Sequence, residues 1–544
     1  MTAIRLFLAL LTLTLVGCNQ TNQFTDSGLV YCSEGDPETF NPQLTVSGTD
    51  IDASAKQLFN RLVQQDPKTG AIVAELASDW KISADGRQYL FMLRQDVQFH
   101  HTPWFTPSRP MNADDVIFSF ERWLQRGHPY HAQGGAKYPY FQSIGLDQAN
   151  IRLVRVSDHQ VRLELAEPRP NLLAELATDF AVILSQEYGM AQLTAGTPEN
   201  FDNKPIGTGP FKLNQYQRNQ FVRYLRHDQY WGQPAALQQL VFDITPTASA
   251  RVIKLIGGDC DVAALPQISE LDTIQQYDDL LVDMMPGLNV AFWAFNSQKP
   301  PFDNPKVRQA LSLAVDKRRI LQAVYYNTAA NAKGMLPPIS WAYNPSLPAL
   351  EYDPVRARAL LHEAAITDLT IDIWTTPEGR VYNPNGSNTA ELIQQDLAKI
   401  GISARIISHD WYRFLELLAT ENYDSALVGW YADNLDPDNF YSPLLSCAAV
   451  PHQSNRAKWC SQQFDDLINQ ARQTENREQR RALYRQLEHH IQQQAPVMPL
   501  AHASRILARK RQWQGPIMPT SGGIDFSKVT KIQTINPTTP QEGQ

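Results

Sequence analysis

The stretch LTIDIWTTPEGRVYNPNGSNTAELIQQDLAKIGISARIISHDWYRFLELLATENYDSALVGW, residues 369–430, decides the fold class. Leu369 to Trp374 reads as a strand, Asn388 to Ile400 as a helix stopped by Gly401, and Ile402 to Ile407 as a second strand. Trp411 to Ala419 then reads as a helix and Asp424 to Trp430 as a third strand. Strands that alternate with helices of this length imply parallel pairing with crossover helices, an α/β architecture. In open sheets of that kind ligands bind beyond the carboxyl ends of the strands. The loops Thr375 to Asn388 and Tyr431 to Asn439 are therefore the expected ligand loops.

Outward from this stretch the same grammar continues. Asn304-Pro305 supplies an N-cap and a first-turn proline, after which Val307, Leu311, Ala314 and Val315 recur on one helical face. Asp353-Pro354 opens another helix. In the first half, Arg87 to Arg94 alternates with a two-residue period, as a strand does. Asn112 and Asp115 form a capping box ahead of Val116 to Leu124. Further strands are expected at Val161 to Leu165, Phe221 to Leu225 and Val241 to Ile244. At 544 residues, the usual scale of roughly 100 to 200 residues per domain implies about three domains or one multi-lobed body. The chain is 43% hydrophobic and 19% charged, which is a globular composition, and its formal charge of −8 lacks the basic field of a nucleic-acid binder.

Leu6 to Val16 is an apolar run after Arg5, too short for a bilayer core that takes about 20 residues but suited to a signal-peptide core. It ends Leu15-Val16-Gly17-Cys18, which resembles a lipobox with Cys18 as the lipidated residue; an ordinary secretory signal with Cys18 incidental is the alternative. Residues 18–27 would be a polar tether. The mature chain is then expected outside the cytoplasm, in the periplasm and lipid-anchored at the inner membrane, where disulfides persist. The remaining cysteines, Cys32, Cys260, Cys447 and Cys460, allow three pairings. The expected one joins Cys447 to Cys460 in a short loop and Cys32 to Cys260 in a long one.

Catalytic signatures are missing. No Gly-Lys dipeptide exists for a phosphate loop, Gly207 and Gly209 are followed by Lys212 where a dinucleotide fingerprint needs glycine, and His362-Glu363 lacks the second histidine of a zinc protease. No nucleophile elbow occurs. His100-His101 could ligate a metal, but a polar turn is the expected reading, and the clusters Lys317-Arg318-Arg319 and Arg509-Lys510-Arg511 read as solvated faces. No enzyme activity, metal or cofactor is expected. Two charges in the ligand loops remain. Arg380 can hold a carboxylate bidentately and Asp433 can hold an ammonium, so together they suit a zwitterion, with Tyr382 and Trp430 beside them. Turn and cap duties for Asp433, Asp436 and Asp438 are the competing reading, and calcium a poor third.

The stretches Leu29-Val30-Tyr31-Cys32, Thr39-Phe40-Asn41-Pro42, Ala77-Ser78-Asp79-Trp80, Met111 to Val116, Pro205 to Phe211, Asn304 to Leu311 and Gly429 to Asp438 resemble, in order, the extracytoplasmic solute-binding proteins of peptide ABC importers. The likeness runs from about Gly28 to Val529 and is to the dipeptide-binding branch. Trp104 to Pro107 and Leu444 to Ala449 resemble its SapA-type members. The resemblance implies a two-lobed periplasmic binding protein fold, closing like a flytrap on two hinge strands, with an extra α/β domain inserted in the first lobe. Lobe I would comprise 28–59, 205–286 and 505–535, the inserted domain 60–204, Lobe II 287–504, and the tail 536–544. One disulfide would then lie in each lobe. The resemblance further implies that Asp433 binds a peptide ammonium and Arg380 its carboxylate. Function would be capture of short peptides and delivery to an inner-membrane permease, with a contribution to antimicrobial-peptide resistance, by a protein expected to be monomeric. Alternatives are a receptor for haem or cationic antimicrobial peptides on the same fold, or an envelope sensor or scaffold lipoprotein.

Overall fold

The computed structural model describes residues 28–532 apart from 67–68, 378, 421–422, 452–453 and 475. The expected signal segment 1–17, Cys18, the tether 18–27 and the tail 536–544 lie outside the described residues. Among these residues no helix is long and apolar enough to cross a membrane.

The decisive stretch folds as strands Thr370–Thr375, Ser403–Ser408 and Ser425–Tyr431 with helices Gly386–Ala398 and Trp411–Thr420 between them. Thr370–Thr375 pairs parallel with both of its neighbours. The helix starts ahead of the expected Asn388, because Asn385 Oδ1 accepts the Asn388 N–H and caps it. The sheet itself is mixed rather than wholly parallel. Asn289–Phe295 enters antiparallel beside Ser425–Tyr431, and the long strand Val497–Lys510 lies antiparallel beside that. Alternation of the two apolar faces explains why Asn289–Phe295 is buried throughout: Val290, Phe292 and Ala294 join one core and Ala291, Trp293 and Phe295 the other.

The strand Val497–Lys510 carries the sheet onward. Its second half pairs with Leu280–Pro286 and Val262–Ala264, beyond which come Gly28–Ser33, Gln239–Ile244, Phe221–Arg226 and Phe211–Gln217. A separate four-stranded antiparallel sheet holds Ala77–Ile82, Gln88–Leu93, Gln160–Glu164 and Arg152–Ser157. On Gln88–Leu93 the alternation resolves as expected, with Tyr89, Phe91 and Leu93 buried. Helix Ala113–Leu124 begins with the capping box of Asn112 and Asp115. The fold is thus a mixed α/β periplasmic binding protein fold around one large sheet.

Two chain passages join the halves of that sheet: Leu280–Pro286 running into Asn289–Phe295, and Val497–Lys510 passing back beside them. At the junction the buried Asn289 amide pairs with one residue of the returning strand. Its Nδ2 donates to the Ala503 carbonyl at 2.9 Å, and its Oδ1 accepts the Ala503 N–H at 2.8 Å. The neutral His502 ring donates through Nδ1 to the Asn289 carbonyl at 2.7 Å, burial holding its pKa down near about 4. Gly287 is required here, since a Cβ would stand 2.1 Å from Asn289 Nδ2 and 2.3 Å from the Ala503 oxygen.

Cys32 stands against Cys260 with Cα atoms 5.9 Å apart, and Cys447 against Cys460 at 4.5 Å, each pair disulfide-bonded. Three local expectations are corrected. His100 is fully buried rather than in a polar turn: Nδ1 accepts the Gly207 N–H and Nε2 bonds the Gly209 carbonyl, so the ring clamps the glycine turn. Those glycines serve packing, because a Cβ on Gly207 would meet the Leu58 oxygen at 1.9 Å. Lys317 is buried, its ammonium donating to the Ala332 carbonyl at 2.7 Å, and desolvation brings its pKa down to about 8. Arg509 is ion-paired to Asp283 rather than solvated.

Asn289→Ala leaves the Ala503 N–H buried without its partner, while the Ala503 carbonyl keeps the Gly287 N–H at 3.1 Å. A buried donor without a partner costs about 1–3 kcal/mol, so urea unfolding is expected to show a loss of that order. A loss near zero would mean that the junction is held by the flanking ladder alone.

Candidate functional site

The aspartates of the loop after strand Ser425–Tyr431 are separated by their partners. Asp436 accepts from the Asp438 N–H at 3.0 Å as a cap and is ion-paired to Arg480 at 2.7 Å. Asp438 is ion-paired to Arg472 at 3.0 Å and also bonds Ser442. For these two the structural duty is the whole explanation. Asp433 has no cation partner among the described residues. Its carboxylate is bonded by the Asn439 side chain, while Asn439 Oδ1 accepts from the Asp433 N–H at 3.2 Å and the Trp430 indole at 3.0 Å. Burial, with Asp179 adding repulsion against the help of Asn439, raises the Asp433 pKa from the ordinary value to about 7.

Asp433 opens onto a cavity of about 620 Å³. The facing wall comes from distant chain segments. Lys56 and Arg61 both pair with Asp179, at 3.1 and 2.6 Å, and Arg61 also pairs with Glu75 at 3.0 Å, so these four charges match one another. The Gly523 N–H adds a bond to Asp179 at 2.7 Å. These partners overcome burial and hold the Asp179 carboxyl below its usual range. Apolar surface is supplied by Met284, Met285, Ile517 and Met518. Across the crevice, the Leu435 N–H donates to Gln65 Oε1 and Arg480 Nη2 to Asn171 Oδ1, both at 3.2 Å.

Of the four residues expected at the ligand, only Asp433 lines this cavity. Arg380 closes a tight turn by exchanging two backbone bonds with Asn383 and lays its guanidinium on the Trp411 ring, 3.5 Å from the centroid. Tyr382 packs its ring on Gly429, where a Cβ would be 2.2 Å from it, and so ties the first loop to the strand that carries Trp430 and Asp433. Trp430 acts through Asn439. Sequence reading did not single out Tyr431. Its hydroxyl is buried with no hydrogen-bond partner, and the Arg505 guanidinium lies 5.9 Å from its ring. Nor did it find the wall of Lys56, Arg61 and Asp179, whose residues share no local motif. Among the described residues no group of acidic, histidine or cysteine side chains is arranged to hold a metal.

The crevice thus sets a wall in which Lys56 and Arg61 pair with Asp179 and Glu75 against a buried Asp433 that has no cation partner among the described residues, and Asp525 and Lys528 also line it. Bacterial extracellular solute-binding proteins, family 5, match over residues 71–451. This chain belongs to that family. The dipeptide-binding protein of Escherichia coli K12 is 42% identical over 521 residues, covering 96% of this chain and 97% of that protein. The peptide transport periplasmic protein SapA of Salmonella typhimurium is 39% identical over 508 residues, covering 93% and 92%. The crystal structure of the dipeptide-binding protein of Pseudoalteromonas sp. SM9913 in complex with Met-Leu superposes with a TM-score of 0.82 at 45% identity, covering 93% of this chain and all of that one. The family fold explains why the site is assembled from both ends of the chain: the wall residues 56, 61, 179 and 509 to 528 come together only around the crevice.

A carboxyl with a pKa near 7 binds an ammonium only after losing its proton. Affinity for a primary-amine ligand is therefore expected to fall about tenfold per pH unit below about 7, and to fall again above the ligand's own amine pKa of roughly 7.7–8.0. Asp433→Asn should flatten the acid limb in calorimetric titrations. The sign for stability is opposite. A folded pKa raised above the unfolded value means that the folded state binds more protons between about pH 4 and 7, so the unliganded protein loses this contribution as pH rises through that window.

Proposed function

We propose that this protein is the solute-binding receptor of an ABC importer that captures short peptides outside the inner membrane and hands them to a permease. The observation that carries the reading is Asp433, a buried carboxylate without a counter-cation among the described residues, facing a cavity wall where Lys56 and Arg61 are already paired with Asp179. The Met-Leu complex of the similar Pseudoalteromonas protein supports a dipeptide-sized ligand, and the likeness to the E. coli dipeptide-binding protein supports the same class. In this reading Asp433 holds the peptide ammonium and Arg380, kept in place by Trp411, holds the carboxylate. Tyr382 fixes the Arg380 loop, and the unpartnered Tyr431 hydroxyl reaches the peptide backbone. Lobe I (28–59, 205–286, 505–535) with the inserted domain (60–204) and Lobe II (287–504) close over it.

Polar main-chain pairing and a wet pocket give tolerance of side chains, and no covalent chemistry is needed. The receptor is a monomer, tethered by lipid on Cys18 through residues 18–27. A coil of about ten residues spans roughly 16–19 Å on average, enough to dock on a permease in the same membrane.

The test is calorimetry with free, N-acetylated and C-amidated dipeptides. Truncating one partner of a desolvated charge pair costs on the order of 2–5 kcal/mol, tens to thousands in affinity. N-acetylation should cost wild type as much as Asp433→Ala costs for the free peptide, and amidation as much as Arg380→Ala. Equal affinity for acetylated and free dipeptides overturns the ammonium assignment.

A further inference from the structure

Asp433 lines the cavity of about 620 Å³ and Arg380 does not. In a peptide held as proposed above, the ammonium enters this cavity together with the first residue, whose Cα is one bond away, while the carboxyl end leaves it. The first side chain then lies against the surface that the cavity offers beside Asp433. The accessible apolar part of that surface is a pair of methionines.

Met284 and Met285 are neighbours on strand Leu280–Pro286, where successive side chains point to opposite faces. Val282 accordingly packs against the cluster that holds Leu271 and Ile506, and Met285 against the one that holds Leu507 and Met518. Yet all four residues from Val282 to Met285 line the same cavity, so the cavity lies along the edge of the strand rather than against one face. That edge is free: among the described residues the strand pairs only with Val497–Lys510. The Gly287 N–H bonds the Ala503 carbonyl and the Arg511 N–H the Asp279 carbonyl, which puts the odd-numbered residues on the paired side. The main-chain groups of Val282 and Met284 point the other way, toward the cavity. Met284 is 50% exposed and Met285 partly exposed, so both can be reached by a ligand.

Three of the cavity's cations are already held, Arg509 by Asp283 and both Lys56 and Arg61 by Asp179. Asp525 and Lys528 also line it and would favour a charged side chain, which gives the test its opposing arm. We propose that this cavity receives the side chain of the peptide's first residue, and that Met284 and Met285 make the receptor select a large apolar one there. The inference rests on the peptide-receptor reading. Methionine is unbranched and adapts its shape, so leucine, methionine and phenylalanine are all accepted at that position. The second side chain lies beyond the methionines and is not selected.

The experiment titrates the mature protein by calorimetry with Leu-Ala, Met-Ala, Ala-Ala, Lys-Ala, Glu-Ala and Ala-Leu. A methylene more or less in an apolar pocket is worth about tenfold or more, so Leu-Ala and Met-Ala are expected to bind at least about tenfold more tightly than Ala-Ala, Lys-Ala and Glu-Ala, with Ala-Leu within about threefold of Ala-Ala. Met284→Ser, at an exposed position, should lower the ratio of Leu-Ala to Ala-Ala affinity about fivefold and leave Ala-Ala itself within about twofold. Met284→Glu should bring Lys-Ala level with Leu-Ala or above it. Equal affinity for all six, tighter binding of Lys-Ala or Glu-Ala by the wild type, a gain for Ala-Leu as large as for Leu-Ala, or the wild-type ratio retained in Met284→Ser each overturns this inference and leaves the receptor reading standing. If none of the six dipeptides binds, the receptor reading itself falls and this inference with it.

Discussion

The placement of the Asp433 crevice depends on the pairing of Asn289 with Ala503. Two long strand passages have to cross between the halves of one sheet, and at a crossing the regular ladder gives out. The Asn289 amide takes its place, presenting one donor and one acceptor to the N–H and C=O of Ala503 as a neighbouring strand would. Buried backbone groups left unmatched would be costly, so the amide is what permits a junction with so little chain in it. Gly287 allows the side chain to come that close, and His502 seals the Asn289 carbonyl. Strand Ser425–Tyr431 pairs with Asn289–Phe295, so the position of Asp433 is set directly from this junction.

The crevice then works by an asymmetry of charge. One wall has cations and carboxylates in balance, with Asp179 held by Lys56, Arg61 and the Gly523 N–H. The other offers Asp433 with only an amide for company. Under the proposed function, desolvation favours the protonated carboxyl of Asp433, and an arriving cation would be bound at the expense of that proton. In the proposed reading, recognition of the ligand's charged end falls to Asp433, because Lys56 and Arg61 across the cavity are already engaged by Asp179. Arg472 and Arg480 occupy Asp438 and Asp436 and leave Asp433 without a cation among the described residues.

Much of the fold was legible because its signals are local. The alternation from Leu369 to Trp430, the capping box at Asn112 and the proline-led helix at Asn304 all appear close to their expected positions, since caps and periodicity act within a few residues. The antiparallel entry of Asn289–Phe295 was not legible, as pairing of residues so far apart in sequence, Asn289 with Tyr431 and Phe295 with Ser425, leaves no mark in either strand. Asp433, Asp436 and Asp438 are equal candidates in sequence; only the later helices that bring Arg472 and Arg480 divide them. His100 and Lys317 misled for a related reason. Each is a polar residue buried against backbone carbonyls or amides that the sequence gives no means of locating. The resemblance to a known family supplied what local physics could not, namely that the Asp433 loop faces distant segments of the chain across a cavity.

The central claim is that the unliganded protein holds a proton on Asp433 at mildly acid pH and gives it up to an ammonium. The direct measurement is calorimetry of a free dipeptide at pH 6 in buffers of different ionisation enthalpy. With a pKa of about 7, release of about 0.9 proton per peptide bound is expected for the wild type, and close to none for Asp433→Asn. Peptide binding by the wild type with no proton released at pH 6 would contradict the account.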